Sequence, residues 1–312
     1  MKKLLSSVIF PALVLAVNAH AVLVYNGTSA NLSAPSDDPG WDAVATIYRT
    51  SPSTDPATAI FLGNEGGFGW FLTANHVNLS SATLTIGGND YTAFSSITQI
   101  GTIDLKVFRV NTTIAGITPV TLSSTVPNVN ASVTMVGYGK TGTYTTWDTS
   151  NNPWTSPGGG AEGYEWSNPN VKSWGTNTVL ERNINTASGM LLATDFDNVA
   201  GEAQGSLGDS GGAVFRKTGM NWELAAVIIA VGRVENSTLS FSNFAGQPSN
   251  TSVAGITGEP NNKSTTYAVQ IANYRTNILN AIPEPGLAGF AAALLSLYLV
   301  TRRREARVPR SG

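Results

Sequence analysis

Short apolar runs, separated by polar turn residues, dominate the chain between Trp41 and Val231. The runs are about four to eight residues long, as in strands, and they lack the periodicity of a helix. Gly, Asn and Ser separate them, as in Gly87–Asp90, and the chain holds 32 glycines. This pattern predicts an all-β fold with many short strands joined by turns.

The predicted strands form two groups of about six along the chain. The first group comprises Ala43–Tyr48, Ala59–Leu62, Trp70–Ala74, Ala82–Ile86, Ile97–Ile100 and Leu105–Val110. The second group comprises Ser132–Gly137, Thr178–Arg182, Met190–Thr194, Gly212–Phe215 and Leu224–Val231. Two such groups predict either two small β-barrels or one large sandwich. The apolar spacing in Thr266–Ile282 predicts a final amphipathic helix.

The first residues have the pattern of an export signal. Lys2 and Lys3 precede an apolar run from Leu4 to Val17, and Ala19-His20-Ala21 supplies a cleavage site of small residues. Residues 1–21 are therefore predicted to be a signal peptide, with Val22 as the new N-terminus. The chain contains no cysteine, which excludes disulfides, thiol chemistry and cysteine-based metal sites.

The last 30 residues, 283–312, have three parts in order. Pro283-Glu284-Pro285 is followed by the apolar stretch Gly286–Val300 and then by a cluster of arginines. This order resembles the PEP-CTERM sorting signal. The resemblance implies transient membrane insertion of the tail, with its basic end held on the cytoplasmic side, and cleavage by an exosortase-type enzyme. A plain C-terminal membrane anchor is the alternative. The expected location is the cell envelope or extracellular matrix, reached by export across the inner membrane, with the tail anchored until it is processed.

The charge balance bears on possible partners. Without the leader and the residues that follow Pro-Glu-Pro, the chain keeps 11 basic and 19 acidic residues, a net charge of about −8. A nucleic-acid partner would require a basic face, so this acidic domain argues against one.

One histidine stands out because the chain has only two, and His20 belongs to the predicted leader. His76 would therefore be the only histidine of the processed chain. It follows an apolar strand and begins a polar segment, in Gly69-Trp70-Phe71-Leu72-Thr73-Ala74-Asn75-His76. A lone histidine is usually structural, but this position makes it a candidate base.

A serine between glycines, in Gly208-Asp209-Ser210-Gly211-Gly212, is a candidate nucleophile. A serine hydroxyl attacks only when a neutral imidazole takes its proton, and the resulting oxyanion needs backbone N–H donors. Flanking glycines let the backbone bend so that such groups point inward. Asp104 enters an apolar strand, where a carboxylate needs a hydrogen-bond partner such as an imidazole Nδ1–H.

Together these segments resemble the trypsin/chymotrypsin-like serine peptidases, in the chain order His, Asp, Ser. Thr73-Ala74-Asn75-His76 is similar to the family's Thr-Ala-Ala-His, Asp104-Leu105 to its Asp-Ile/Leu strand, Gly137-Tyr138-Gly139 to its Gly-Trp-Gly, and Gly208–Gly212 matches its Gly-Asp-Ser-Gly-Gly. The resemblance implies two six-stranded antiparallel β-barrels with the active site in the cleft between them, plus a C-terminal helix. The peptidase domain would span residues 22–282, with barrels at about 41–127 and 128–265 and the helix at 266–282.

The resemblance implies a secreted serine endopeptidase that acts on protein or peptide substrates through an acyl-enzyme. His76, Asp104 and Ser210 would form the catalytic triad, and the N–H groups of Gly208 and Ser210 the oxyanion hole. Asp209 would pair with a cation. The N-terminus of Val22 after signal cleavage, or Arg182, is the candidate. No cofactor and no metal are implied.

The substrate pocket departs from that of trypsin. Gln204, six residues before Ser210, stands where trypsins keep the acid that selects Arg and Lys. With Ile229 and Gly232 in its wall, the pocket is predicted to be neutral or mildly polar.

Two other hydrolase families fit the sequence less well, and one different function is the alternative. In α/β-hydrolases the histidine follows the serine, and no histidine follows Ser210. A subtilisin-like order needs an aspartate before His76; several stand there, but the flanking residues do not fit and alternating helices are lacking. The different function is a catalytically silent binding protein of the matrix or envelope. It would hold polysaccharide or peptide on the aromatic-rich segment Thr143–Asn170, which is predicted to be a loop and either a functional flap or a structured insertion.

Overall fold

A computed structural model describes residues 22–49, 56–150, 154–236, 239–243, 252–253 and 264–283. The predicted signal peptide, and the apolar and basic parts of the predicted sorting signal, lie outside the described residues. Within the described part, short strands dominate, two 3₁₀ turns lie at Ser29–Leu32 and Trp41–Ala43, and one α-helix lies near the end.

The strands that precede residue 150 are β1 (Leu23–Val24), β2 (Val44–Arg49), β3 (Ala57–Glu65), β4 (Phe68–Thr73), β5 (Ala82–Ile86), β6 (Asn89–Tyr91), β7 (Phe94–Gln99), β8 (Lys106–Val110), β9 (Ser132–Gly137) and β10 (Lys140–Trp147). The later elements are β11 (Ala161–Asn170), β12 (Ser173–Thr186), β13 (Gly189–Thr194), β14 (Ala203–Gln204), β15 (Ala213–Thr218), β16 (Asn221–Val231), β17 (Arg233–Asn236), β18 (Leu239–Asn243), β19 (Ser252–Val253), β20 (Thr266–Gln270) and α1 (Ile271–Ala281).

The first large sheet has seven antiparallel strands in the order β6-β5-β2-β3-β4-β8-β7. Its core face carries Phe61, Phe71 and Phe108 on three neighbouring strands, and their ring centroids lie 5.4 and 5.6 Å apart. Such aromatic pairs across strands add to the stability that apolar burial provides. The sheet is curved around this core, but its two edge strands are not hydrogen-bonded to each other.

The second large sheet closes into a six-stranded barrel in the order β12-β13-β20-β16-β15-β9. One cluster of buried apolar residues continues from the first sheet into this barrel, and it includes Phe71, Val107, Phe215 and Val227. The all-β fold of two barrels with a C-terminal helix is therefore confirmed. The first barrel differs in having seven strands and an open edge.

The segment predicted as a final helix, Thr266–Ile282, is helical only from Ile271. Its first five residues form β20, which pairs with both β13 and β16 and closes the barrel. All five are buried, so both faces of the segment are covered, which suits an inner strand. Within the described residues no helix has the length and apolarity needed to cross a membrane.

The segment predicted as a loop, Thr143–Asn170, is mostly a long hairpin. Strands β10 and β11 pair from Lys140↔Asn170 to Trp147↔Ala161, and β18 pairs with β11 on its other side. Trp147 and Trp154 pack together with Ala161 in a small buried cluster. The segment is therefore a structured sheet with its own core.

Candidate active site

Strand pairing in the seven-stranded sheet brings His76 and Asp104 together. Strands β4 and β8 are antiparallel neighbours, with Thr73 opposite Lys106. The chain leaving β4 and the chain entering β8 therefore lie at the same end of the sheet. His76 comes three residues after Thr73 and Asp104 two residues before Lys106, so their side chains meet at this end.

Hydrogen bonds connect Asp104, His76 and Ser210 in a line. The Nδ1 atom of His76 lies 2.7 Å from Oδ2 of Asp104, and its Nε2 atom lies 2.8 Å from Oγ of Ser210. The other carboxylate oxygen of Asp104 accepts the backbone N–H of His76 at 2.9 Å. With the ring proton on Nδ1, facing the carboxylate, Nε2 is free to accept the serine proton. The His76 side chain is 48% exposed and that of Asp104 only 19%, so the base faces the cleft and its acid lies behind it.

Ser210 lies in the tight turn between β14 and β15, and the two glycines nearest it have backbones that favour glycine. Gly208 has a φ of 104° and Gly211 a φ of 87°. A Cβ on Gly211 would overlap the carbonyl oxygen of Thr58, and one on Gly208 would lie 2.9 Å from the carbonyl oxygen of Tyr138. Both the backbone angle and the lack of space therefore require glycine at these positions.

The backbone N–H groups of Gly208 and Ser210, the expected oxyanion donors, both lie in the turn that carries Ser210. The carbonyl of Leu207 accepts the N–H of Lys140 at 2.8 Å, and the carbonyl of Asp209 accepts that of Gly212 at 2.7 Å. In a trans peptide the N–H points away from the preceding carbonyl. The N–H groups of Gly208 and Ser210 thus point away from these two bonds, and among the described residues neither makes a hydrogen bond.

Asp209 is a fully buried carboxylate beneath this turn. Its Oδ2 accepts the N–H of Ser206 at 2.7 Å and the hydroxyl of Ser206 at 3.1 Å. Its Oδ1, also buried, accepts no hydrogen bond of normal geometry from the described residues. Burial raises the pKa of Asp209 to about 7, although the bonds from Ser206 and the nearby N–H groups of Gly139 and Tyr138 act in the opposite direction.

Val22 is the nearer of the two candidate partners expected for Asp209. A Cβ on Gly137 would overlap Asp209 Oδ1 and would lie 3.2 Å from Cγ2 of Val22, so both residues pack against the same point. Val22 is fully buried, and the strand that follows it pairs with Ala203 and Gln204. Arg182 instead donates to the carbonyl of Pro127 and the side chain of Asn128.

Two hollows adjoin Ser210. One, of about 270 Å³, is lined mainly by the seven-stranded sheet and the His76 turn, with Ile47, Ala57 and Val77 as apolar members. The other, of about 170 Å³, is lined by Ser206, Leu207 and the end of β16 from Ile228 to Val231. Of the described residues that line either hollow, His76 is the one with a titratable side chain.

The comparisons with known proteins yield structural neighbours alone. No family model matches the chain, and no curated protein matches it. An inactive mutant of Rv3671c from M. tuberculosis H37Rv has a TM-score of 0.48 and 13% identity, over 83% of this chain and 95% of that one. A second structure, of the Rv3671c protease in its inactive form, has a TM-score of 0.46 and 13% identity, over 84% of this chain and 99% of that one. A serine endoprotease from Yersinia pestis has a TM-score of 0.43 and 14% identity, over 78% of this chain and 64% of that one. An HtrA-type protease with a tripeptide has a TM-score of 0.45 and 14% identity, over 83% and 64%.

The residues expected to form the substrate pocket do not all reach it. Ile229 lines the smaller hollow, whereas Gln204 and Gly232 are absent from its lining. Gln204 is fully buried and donates from Nε2 to the carbonyl of Gly232 at 2.8 Å. This hydrogen bond joins β14 to the chain just after β16, outside the lining of the hollow. Among the described residues, no cluster of three or more His, Cys, Asp or Glu side chains is arranged to hold a metal ion.

Two buried polar residues at the site were not singled out from the sequence. Thr58 contacts the Ser210 turn from β3, and Lys106 contacts the His76 turn from β8. Each is a polar residue within an otherwise buried strand, at positions 58 and 106. That pattern is the available sequence signal, because a buried hydroxyl or ammonium needs hydrogen-bond partners.

Proposed function

We propose that this protein is a serine endopeptidase that hydrolyses peptide bonds through an acyl-enzyme. The observation that carries the proposal is the unbroken line of bonds from Asp104 through His76 to Ser210, at 2.7 and 2.8 Å. Both distances are within the reach that proton transfer requires. Asp104 also contacts His76 twice, at its backbone N–H and at its ring Nδ1. These two contacts support the same role, because they fix both the position of the ring and its tautomer.

In this mechanism Oγ of Ser210 attacks the substrate carbonyl while Nε2 of His76 takes the hydroxyl proton. The N–H groups of Gly208 and Ser210 stabilise the oxyanion of the tetrahedral intermediate. Collapse of the intermediate breaks the C–N bond, and the imidazolium gives its proton to the leaving amine. Water then attacks the acyl-enzyme with His76 as base, which releases the acid product and restores the serine.

The test is a comparison of wild-type protein with Ser210→Ala, using casein hydrolysis and labelling by a fluorophosphonate probe. We expect wild-type protein to cleave casein and to take the label, and Ser210→Ala to do neither while its circular dichroism spectrum is unchanged. Ser80→Ala is a matched control, since Ser80 is an exposed serine outside the line of bonds and should leave both activities intact. A wild-type protein that neither cleaves nor labels would refute the proposal.

We further propose that the substrate residue preceding the cleaved bond is small and aliphatic. Among the described residues, the lining of the smaller hollow includes the polar residues His76, Ser206 and Ser210 but no acid that would attract Arg or Lys. Ile228, Ile229 and Val231 form its wall along β16. These aliphatic side chains and the volume of about 170 Å³ favour a small aliphatic side chain over a basic one.

A peptide library that varies this residue tests the preference. We expect Ala and Val to exceed Phe and Arg in kcat/KM by about tenfold or more, since each methylene in such a pocket contributes about 1–3 kcal/mol. Val231→Ala should shift the preference toward larger side chains, and Val179→Ala, a buried valine outside the hollow, should not. A profile with Arg or Phe ahead of Ala would contradict a small pocket.

The export and sorting of the protein are also proposals. Residues 1–21 would be removed on export and residues 283–312 would direct sorting at the envelope, as their sequence patterns indicate. Removal of the leader would free the α-ammonium of Val22. The burial of Val22 beside the unsatisfied oxygen of Asp209 supports an ion pair between the two, which would hold the Ser210 turn in place.

The structure gives no support to a binding function for the aromatic-rich segment. Four of its five aromatic rings are buried, namely Trp147, Trp154, Tyr164 and Trp166, and the fifth, Tyr144, is 43% exposed. Trp166 also uses its indole N–H internally, in a 2.7 Å bond to Ser242.

A further inference from the structure

Lys106 is a buried cation in contact with the backbone on both sides of His76. Its side chain is among the buried polar groups, at 6% exposure. Its Nζ donates to the carbonyl of Asn75 at 3.0 Å and also to the carbonyl of Val77. These two carbonyls belong to the residues immediately before and after the candidate base.

Burying an ammonium group is unfavourable unless its hydrogen bonds are made. Accordingly, desolvation lowers the pKa of Lys106, while the nearby carboxylate of Asp104 acts in the opposite direction. An apolar residue at the start of β8 would fill the same space without this cost. The hydrogen bonds of its Nζ to the carbonyls of Asn75 and Val77 therefore explain the lysine better than packing does.

Asp104 and Lys106 act on the His76 turn in complementary ways. Asp104 lies in the bend just before β8 and Lys106 is the first residue of β8, so both side chains reach the His76 turn from one short segment. Asp104 accepts the backbone N–H and the ring Nδ1 of His76, and Lys106 donates to the carbonyls that flank it. The segment from Asp104 to Lys106 therefore binds both the N–H groups and the carbonyl groups of the His76 turn.

We propose that Lys106 is a positioning residue for the catalytic base, in that it holds the His76 turn so that Nε2 stays in line with Ser210. This inference rests on the proposed function, because it assigns Lys106 a role in the same reaction. Lys106 touches neither Ser210 nor the hollows that adjoin it, so its effect is on the placement of His76. Small misplacement of a catalytic group costs about 100-fold in rate, whereas substrate binding is unaffected.

The chain offers a matched control in Lys172. Lys172 is half-buried and also donates from Nζ to two carbonyls, those of Trp41 and Val44 at 2.6 and 2.5 Å, but it lies outside the candidate site. Lys106→Met and Lys172→Met therefore remove the same kind of group and the same number of bonds. A general loss of stability should affect both variants alike.

The experiment compares kcat and KM of wild type, Lys106→Met and Lys172→Met on one peptide substrate, with the folded fraction of each measured by thermal unfolding. We expect Lys106→Met to lower kcat by about 10- to 100-fold with KM within about twofold. Lys172→Met should leave kcat within about twofold of wild type. Equal kcat in the two variants, or a change confined to KM or stability, would overturn the inference. Failure of wild type itself to cleave would count against the proposed function instead.

A spectroscopic readout follows from the histidine count, and it needs no substrate. In protein spanning residues 22–282, His76 is the sole histidine, so the downfield proton signal of an imidazole N–H bonded to a carboxylate has one source. We expect this signal to broaden in Lys106→Met and to remain sharp in Lys172→Met. If Lys106→Met does not fold, Lys106→Gln, which keeps a shorter N–H donor, takes its place with the same expected direction. An unchanged signal and unchanged kcat in a folded Lys106 variant would show that Lys106 is structural only.

Discussion

Asp104 uses its two oxygens on two different parts of one residue. One accepts the backbone N–H of His76 and the other faces its ring Nδ1. The first bond fixes where the residue lies, and the second fixes the tilt of the ring and the proton on Nδ1. An amide at this position has one acceptor oxygen and one N–H₂ group, so it would lose one bond or favour the tautomer with the proton on Nε2. That tautomer cannot take the proton of Ser210.

Asp104→Asn should therefore abolish most activity without unfolding the protein. We expect kcat to fall by about 10⁴-fold while KM changes little, because the tautomer affects the chemical step and not the substrate contacts. The rate of fluorophosphonate labelling should fall in parallel. Asp90→Asn is the control, since Asp90 bonds to Thr85 and Tyr48 on an exposed strand away from the site. A kcat within tenfold of wild type would show that Asp104 does not orient the base.

At the scale of elements, the turn that carries Ser210 depends on the chain's first described strand. Strand β1 pairs with β14, which leads directly into the turn, and Val22 packs beside Asp209 under it. Asp209 is fully buried, and its Oδ1 accepts no hydrogen bond among the described residues, so a nearby cation would stabilise its ionised form. A free N-terminus at Val22 would supply that cation, and a chain that continues before Val22 would not.

Stability as a function of pH should distinguish the two forms. Where no cation is present, the pKa of Asp209 is raised to about 7 in the folded state. Between its ordinary value near 4 and about 7, the folded chain then binds a proton that the unfolded chain has released, so stability falls as pH rises. We expect the Tm of a chain extended before Val22 to fall over this range relative to that of a chain beginning at Val22. Burial also raises the pKa of Glu202 to about 7, but this contribution is common to both chains.

The control for this experiment is Asp209→Asn in both chains, which should remove the difference in slope. Parallel Tm curves for the two chains with Asp209 intact would rule out an ion pair with the N-terminus. Calorimetry from about pH 4 to pH 7.5 covers the range in which the two states of Asp209 differ.

Elements were predictable from the sequence where local pattern and tertiary pairing agree. The bounds of β5 and β9, Ala82–Ile86 and Ser132–Gly137, match the prediction because apolar runs there end at turn residues. The hairpin of β10 and β11 was predicted to be a loop because Asn, Pro and Gly are frequent in and around it, and such residues are rare in strands. Its order comes from pairing with the distant strand β18 and from the buried cluster of Trp147, Trp154 and Ala161 inside the hairpin, neither of which local propensity registers.

The candidate site, too, was predictable only in part. Residue types and chain order predicted His76, Asp104 and Ser210, whose side chains the fold places in one line. Residue type and chain order do not single out Thr58 and Lys106, because their hydrogen-bond partners lie on other strands or in the other barrel. Only the register of β4 against β8, and the approach of β3 to the Ser210 turn, reveals what their polar atoms contact.

At the scale of the whole molecule, Thr58 links the seven-stranded sheet to the Ser210 turn of the closed barrel. Its backbone N–H donates to the carbonyl of Ser210 at 2.8 Å, and its hydroxyl donates to the carbonyl of Gly208 at 3.2 Å. The same hydroxyl accepts the N–H of Tyr138 at 3.1 Å. Since His76 and Asp104 come from the first sheet and Ser210 from the barrel, the triad depends on how firmly these two halves are joined.

Thr58→Val keeps the shape of the side chain and removes only the hydroxyl, so it tests this link directly. We expect a loss of about 1–3 kcal/mol in the free energy of unfolding, because the N–H of Tyr138 and the carbonyl of Gly208 lose a buried partner. We also expect kcat to fall by about tenfold, since the oxyanion donors and Ser210 are less firmly held against His76. Urea unfolding and peptide hydrolysis measure the two effects.

Thr194→Val is the matched control for the loss of a buried hydroxyl. Thr194 lies in β13 of the closed barrel, is 1% exposed, and its Oγ1 has no hydrogen-bond partner among the described residues. Replacing an unsatisfied hydroxyl with a methyl group removes a desolvation cost, so this variant should be as stable as wild type or more so. Its kcat should be unchanged. If Thr58→Val matches Thr194→Val in both the free energy of unfolding and kcat, the hydroxyl of Thr58 does not help to join the two halves. The junction then depends on the backbone hydrogen bond from Thr58 and on the shared apolar core.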